Sequence, residues 1–324
     1  LHPPLPPFRP RWPWWGPDLQ TLRNRLRPPP AATAPRSRRL TLKLSDGSDD
    51  ALSALLQHPG TETGPTVVLI HGLAGCEESP YMEVSAAWWL ARGHPVLRLN
   101  LRGAGRSRPL CRLQYHAGRS QDLRDALEAL PDPVRSRGLV LVGYSLGGNM
   151  LLKFLAEHAA GLPVRAAACV SAPIDLAATA KRFLEPRNWI YHRSMLQSMK
   201  SETLAPGAQL SAEEERAVRE ARSVWEFDDR FVAPRNGFDG APDYYARCSG
   251  RRFLAAVRTP TLVVHALDDP WIPGAAYREY DWAANPRLTP LLSSGGGHVG
   301  FHAADDRVPW HDRAIAAFFG RVAR

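Results

Sequence analysis

The sequence predicts an α/β protein, a mostly parallel central sheet with helices on both faces, and three observations carry that reading. Short runs of branched apolar residues alternate with stretches of helical periodicity along most of the 324-residue chain, the rhythm of strand–helix–strand units. No repeat of 20 to 50 residues replaces that rhythm with a solenoid or propeller. Finally, the run Leu139 to Val142 passes through Gly143-Tyr144-Ser145-Leu146-Gly147 into Met150, Leu151, Phe154 and Leu155 at helical spacing. That is a buried strand turned sharply into a helix.

The elements follow in order. Residues 1–38 form an N-terminal arm dense in proline, from Pro3 to Pro35. This density disfavours a long helix and favours an extended path, with Asp18 to Leu22 forming one short helical turn. Trp12, Trp14 and Trp15 have two roles open to them, clamping the arm on the body or dipping into a membrane interface. Clamping is the expectation, because no amphipathic helix is evident there. Residues 39–324 then form the main domain. Leu40, Leu42 and Leu44 alternate with polar neighbours, Ser45-Asp46-Gly47 turns the chain, and Ala51 to Gln57 completes a hairpin. Strands are expected at Thr66–Ile70, Pro95–Asn100, Ala166–Val170, Thr261–His265 and Leu288–Leu292. Helices are expected at Tyr81–Arg92 behind a Ser79-Pro80 cap, at Ser120–Leu130, and at Trp310–Val322. From about 176 to 252 the alternation fails, and this segment is expected to be an inserted helical cap, with a helix at Glu213–Arg222.

Composition narrows the function classes. The apolar fraction is 44%, ordinary for a globular chain. No apolar run approaches the roughly 18 residues of a membrane helix, and the first residues lack a charged-then-apolar signal pattern. The net charge is +9, nearly all from arginine, since the lysines are Lys43, Lys153, Lys181 and Lys200. Scattered arginine reads mainly as compositional bias, and secondarily as attraction to anionic lipid or substrate. With no recognised module and no basic helix it argues against nucleic-acid binding. Cys76, Cys111, Cys169 and Cys248 are widely spaced without C-x-x-C, which suggests reduced thiols and a cytoplasmic setting.

The chemistry centres on Ser145. Strand, tight turn and helix make G-x-S-x-G a nucleophile elbow, with the serine beside the free N–H groups of a helix start. A serine hydroxyl needs a base, and the base an orienting acid, here in the order Ser, Asp, His. His298 follows the last strand in Ser293-Ser294-Gly295-Gly296-Gly297-His298, where glycines let the imidazole swing back. His302 and His311 are lesser candidates, and His71 is expected to shape a turn. For the acid, Asp269 is preferred over Asp268, because Ala266 sits where G-x-x-D has its glycine and Pro270 biases Asp269 to be extended. Asp175 comes third. Two backbone N–H groups, Leu73 in His71-Gly72-Leu73 and Leu146 after the nucleophile, are the expected oxyanion donors. Cys76 is read as a small buried side chain and not as a nucleophile. No metal or organic cofactor is called for: there is no H-E-x-x-H and no P-loop.

These motifs resemble α/β-hydrolase family 4, the YheT-like bacterial esterases and their eukaryotic relatives. The likeness spans nearly the whole chain, through Pro7-Phe8-Arg9-Pro10 with Leu19-Gln20-Thr21, His71 to Gly75, Asn100-Leu101-Arg102-Gly103 and Tyr115-His116-Ala117-Gly118. It continues through Gly143 to Leu152, Phe227-Asp228-Asp229, His265 to Pro270 and Gly296 to Phe301. The resemblance implies an α/β-hydrolase fold and a Ser-Asp-His hydrolase of carboxylic esters, fatty-acyl esters being favoured among relatives, with the triad on Ser145, Asp269 and His298. Ala74-Gly75-Cys76 departs from the usual Glu-Gly-Ser type but keeps both N–H donors. The expected function is hydrolysis of short- to medium-chain acyl esters through an acyl-enzyme. The rivals are acyl transfer to an alcohol with the same residues, and a non-catalytic binding protein of the same fold.

Overall fold

The computed structural model describes residues 7–322. Its sheet has eight strands in the order β1-β2-β4-β3-β5-β6-β7-β8. They are β1 (Arg36–Lys43), β2 (Ala51–His58), β3 (Thr66–Ile70), β4 (Val96–Leu99), β5 (Leu139–Tyr144), β6 (Val164–Val170), β7 (Thr261–Ala266) and β8 (Leu288–Ser293). β2 runs antiparallel to both neighbours, and every pair from β4 to β8 is parallel. The central strands read as continuous apolar runs because both their faces are covered. Alternate residues go to opposite sides: Val68, Ile70, Leu139 and Leu141 join one core, Val67, Leu69, Val140 and Val142 the other.

Helices α3 (Ser120–Glu128), the short α4 (Asp132–Arg135) and α5 (Leu146–Glu157) lie on the first face. The second carries α2 (Pro80–Leu90) and α12 (Trp310–Val322). Between β6 and β7 the chain leaves the sheet through α6 (Leu176–Phe183), α7 (Trp189–Thr203), α8 (Ala212–Glu220), the short turns α9 (Val224–Phe227) and α10 (Ala233–Arg235), and α11 (Gly240–Cys248). This excursion has its own apolar cluster, with Leu196, Met199, Val218 and Phe227. Its two ends are tied together, since Leu176 N–H donates to Ser249 Oγ at 3.1 Å and Arg251 N–H to the Ile174 carbonyl at 2.9 Å. α8 begins with a capping box between Ser211 and Glu214, as the acidic first turn of its sequence favours.

The arm departs from expectation in two ways. In place of one turn, an 11-residue helix, α1 (Gly16–Leu26), occupies its middle. The prolines bracket a proline-free window from Asp18 to Arg27, and Pro17 sits in the first turn, where its missing N–H costs nothing. The expected tryptophan clamp is also not what holds the arm: Trp12 and Trp15 are 73% and 60% exposed. Phe8 packs edge-on against Phe301 and Trp310, and Gln20 exchanges hydrogen bonds with the His302 backbone.

Asn100-Leu101-Arg102-Gly103 serves the scaffold. Arg102 is fully buried and binds Asp122 through two nitrogens at 2.9 and 2.8 Å, Asp46 at 2.8 Å and Asp50 at 3.1 Å. It thereby ties the β1–β2 turn to α3. Arg102→Ala strands a buried carboxylate, so urea unfolding should show a loss of about 3–5 kcal/mol. Unchanged stability would mean that the aspartates find other partners. Among the described residues no helix is long and apolar enough to cross a membrane.

Candidate active site

Ser145 joins β5 to α5 with φ 50° and ψ −123°, a backbone conformation held only by the structure around it. Its N–H donates to the Val170 carbonyl at 2.8 Å, and its carbonyl accepts from Gly148 and Asn149. The flanking glycines are steric requirements. A Cβ at Gly147 would stand 2.3 Å from the His71 carbonyl oxygen, and one at Gly143 2.6 Å from that of Gly147. Ser145 thus stands at the N-terminus of a 12-residue helix, whose first N–H groups have no partner within the helix.

His298 approaches from the loop after β8. Its Nε2 lies 3.0 Å from Ser145 Oγ and its Nδ1 2.8 Å from Asp269 Oδ2. Asp269 Oδ1 accepts from Trp271 N–H at 2.8 Å and Ile272 N–H at 3.0 Å. Burial pushes the Asp269 carboxyl up, but the charge and hydrogen bond of His298, with His265 and Trp271 N–H, outweigh it and hold the group below its ordinary value. Asp268 faces elsewhere: its Oδ1 accepts from Gly297 N–H at 3.0 Å, so it braces the loop that carries the imidazole. Its carboxyl is raised, first by burial and further by Asp269.

The remaining candidates sit apart from this line. Asp175 caps α6, accepting from Ala178 N–H at 2.9 Å. His302 and His311 are buried, and burial lowers both. Cys76 has its thiol raised by burial, the opposite of activation. His71 is a turn anchor. Its Nε2 accepts from Leu101 N–H, so its Nδ1 donates to the Gly72 carbonyl, and burial brings it down to about 4 and keeps it neutral.

Leu73 and Leu146 both line the space beside Ser145. The His71–Gly75 loop lies so close that a Cβ at Gly72 would be 2.9 Å from Ser145 Cβ. Two tyrosines hold it: Gly72 N–H donates to Tyr81 OH at 2.9 Å and Ala74 N–H to Tyr115 OH at 2.7 Å. Tyr115 OH in turn donates to Glu202 Oε2 of α7 at 3.1 Å. Burial pushes the Glu202 carboxyl up to about 7. Tyr115→Phe leaves Ala74 N–H unpaired and loosens the loop that carries Leu73, whose N–H is an expected oxyanion donor. Loss of a whole oxyanion donor costs about 10²–10³ in kcat; Tyr115→Phe should cost about tenfold in kcat with little change in KM. A change confined to KM would detach Tyr115 from the loop's role.

Two spaces meet at Ser145. One is an apolar chamber under the 176–252 segment, open on one side. Phe183, Met195, Met199, Phe227 and Phe231 wall it. Asp228 also faces it, its Oδ2 accepting from Tyr245 OH at 2.7 Å, and burial pushes this carboxyl up to about 7. The other is an open groove between α1 and α7, reaching Ser145 and His298 past Thr21, Leu22, Arg25 and Ile190.

The sequence reading did not pick out Thr21 or Trp271 individually. Thr21 Oγ1 accepts from His298 N–H at 2.9 Å and donates to the Pro17 carbonyl at 2.7 Å. The Trp271 ring lies 4.3 Å from the imidazole, centroid to centroid. The signal for Thr21 was the polar pair Gln20-Thr21 inside the proline-free window; Trp271 follows Pro270 with no local signal.

Comparison with known proteins agrees with this architecture. The alpha/beta hydrolase fold family matches residues 65–305. YheT of Escherichia coli (strain K12) is 33% identical over 293 residues, covering 87% of this chain and 83% of its own length. Medium-chain fatty acid ethyl ester synthase/esterase 2 of Saccharomyces cerevisiae (strain ATCC 204508 / S288c) is 30% identical over 284 residues, 79% of this chain and 62% of its own. Phospholipase ABHD3 of Homo sapiens is 26% identical over 297 residues, 90% and 72%. Among solved structures, the Pyrococcus furiosus esterase Pf2001 superposes with a TM-score of 0.61 over 99% of both chains at 16% identity, a likeness of fold. With sheet order, elbow and family match in agreement, the chain belongs to the α/β-hydrolase family as a YheT-like carboxylic ester hydrolase.

Proposed function

We propose that this protein hydrolyses short- to medium-chain acyl esters through a covalent acyl-enzyme. The observation that supports it best is the hydrogen-bonded line Asp269–His298–Ser145 at the meeting point of an apolar chamber and an open groove. In this reading the acyl chain enters the chamber under a cap formed by about 176–252, and the alcohol portion lies in the groove. Ser145 Oγ attacks the ester carbonyl while His298 Nε2 takes its proton; Asp269 holds the imidazole and stabilises its charged form. Leu73 and Leu146 N–H bind the oxyanion. His298 then protonates the departing alcohol, and water, deprotonated by the same imidazole, releases the acid. The arm, the cap and a cytoplasmic setting with four free thiols belong to the same proposal.

A series of p-nitrophenyl esters of increasing acyl length tests the chamber. kcat/KM should rise from acetate into the medium-chain range before falling; a steady fall beyond acetate would sink the acyl-chamber assignment. The name of the yeast relative includes ester synthesis, so alcoholysis is the second reading. Adding ethanol and measuring ethyl ester against free acid separates the two.

A further inference from the structure

We propose that the N-terminal arm and helix α1 form a docking surface for an anionic phospholipid bilayer, placed so that the mouth of the Ser145 groove opens onto the lipid. The first observation is inverted amphipathicity. Trp15, Leu19, Leu22 and Leu26 fall at i, i+4, i+7 and i+11, one stripe of a helix. In a helix packed on a core that stripe faces inward. Here the inward residue is Gln20, 1% exposed and bonded to the His302 backbone, while Trp15, Leu19 and Leu26 are 60%, 41% and 59% exposed. Isolated exposed apolar residues need no explanation, but three exposed residues on one stripe, with the half-buried Leu22 among them, do.

The second observation is position. Leu22 and Leu26 continue from the stripe into the groove that reaches Ser145, and across it stands Ile190 of α7, 72% exposed. The stripe therefore leads to the groove's entrance. The third is charge. Flanking the stripe, Arg23, which neighbours Leu19 and Leu26 on α1, joins Arg11, Arg27 and Arg307 in a cleft with Trp12 and Trp14, against Asp305 and Asp306. Asp305 is paired with Arg313 outside that arginine group, and Asp306 Oδ1 accepts from Val308 N–H. Burial and then repulsion among the arginines lower Arg11 and Arg23, and Asp306 offsets this only in part at Arg11, so an anion arriving there relieves like-charge crowding.

An apolar, tryptophan-bearing stripe beside clustered arginines matches the layering of a bilayer interface, with rings at headgroup depth and guanidinium groups on phosphates. The charge disfavours a second copy of the chain, because a two-fold contact would set these arginines near their equivalents. Docking does not require catalysis, so it stands or falls separately from ester hydrolysis.

The test is co-sedimentation of the full chain with phosphatidylcholine vesicles, with and without phosphatidylglycerol. The chain should partition onto the anionic vesicles, and added salt should weaken the partition. Trp12→Ser/Trp15→Ser/Leu19→Ser should lose binding, and Arg27→Gln/Arg307→Gln should weaken it about 30-fold. Both variants should keep wild-type hydrolysis of soluble p-nitrophenyl acetate, which shows that they are folded. Ser145→Ala should bind vesicles like the wild type. Three results overturn the proposal: equal binding by the tryptophan variant, binding of inorganic phosphate without binding to vesicles, or a dimer that the tryptophan variant converts to monomer.

Discussion

Ser145→Ala should leave a folded protein whose kcat for a soluble ester has fallen by about 10⁶, the scale at which loss of the nucleophile disables such a triad. The structure makes this a clean substitution. Alanine removes one oxygen, and the elbow's hydrogen bonds run through the backbone of residue 145, to Val170, Gly148 and Asn149. The steric demands belong to Gly143 and Gly147, and the backbone strain at φ 50° is shared by serine and alanine. What disappears is the Oγ that lies 3.0 Å from His298 Nε2. A fluorophosphonate probe should therefore label the wild type and leave the variant unlabelled, with unfolding in urea little changed. Labelling that survives in Ser145→Ala would move the nucleophile elsewhere. A wild type inactive toward every ester and unlabelled by the probe would favour the binding-protein alternative.

What could be read from the sequence divides along a physical line. The strands were legible because burial on both faces leaves uninterrupted apolar runs, as at Thr66–Ile70 and Leu139–Val142. The Ser145 turn was legible because backbone crowding admits only glycine at residues 143 and 147. Local rules do not reach the contacts that hold the arm and carry the histidine. Gln20 is buried because of residue 302, and Thr21 is fixed by His298, 277 positions away. Nothing near Trp12 or Trp15 in the chain says that Phe8 takes the packing role and leaves them exposed. Likewise, Tyr115 belongs to the His71–Gly75 loop through a hydrogen bond spanning 41 positions. The 176–252 segment was recognised by loss of rhythm alone, a signal that does not say which of its residues face the chamber.

The adjacent aspartates give the second large effect. Asp269→Asn should lower kcat by about 10⁴, as it does where an asparagine replaces a triad aspartate, while Asp268→Asn should stay within about tenfold of wild type. The asymmetry follows from which atoms each carboxylate accepts. Asp269 Oδ1 takes the N–H groups of Trp271 and Ile272, and Oδ2 takes the imidazole Nδ1. In an asparagine the one carbonyl oxygen must remain on the two backbone donors, which turns the amide NH₂ toward Nδ1. An NH₂ group forces Nδ1 to accept, so the proton moves to Nε2, and that nitrogen can no longer take the proton of Ser145. Asp268 Oδ1 accepts from Gly297 N–H, and the carbonyl oxygen of an asparagine can keep that bond. The pH dependence separates the residues again. Asp269 has a folded-state pKa below its unfolded value of about 3.8, so its stabilising contribution is complete above that pH and is lost as pH falls through the depressed folded value. Asp268 is shifted the other way, so the acid limb of a stability–pH curve should flatten in Asp269→Asn and not in Asp268→Asn. If Asp268→Asn proves the inactive variant, the imidazole is oriented from Asp268, and the resting geometry of the Gly295–Gly297 loop is not the one that reacts.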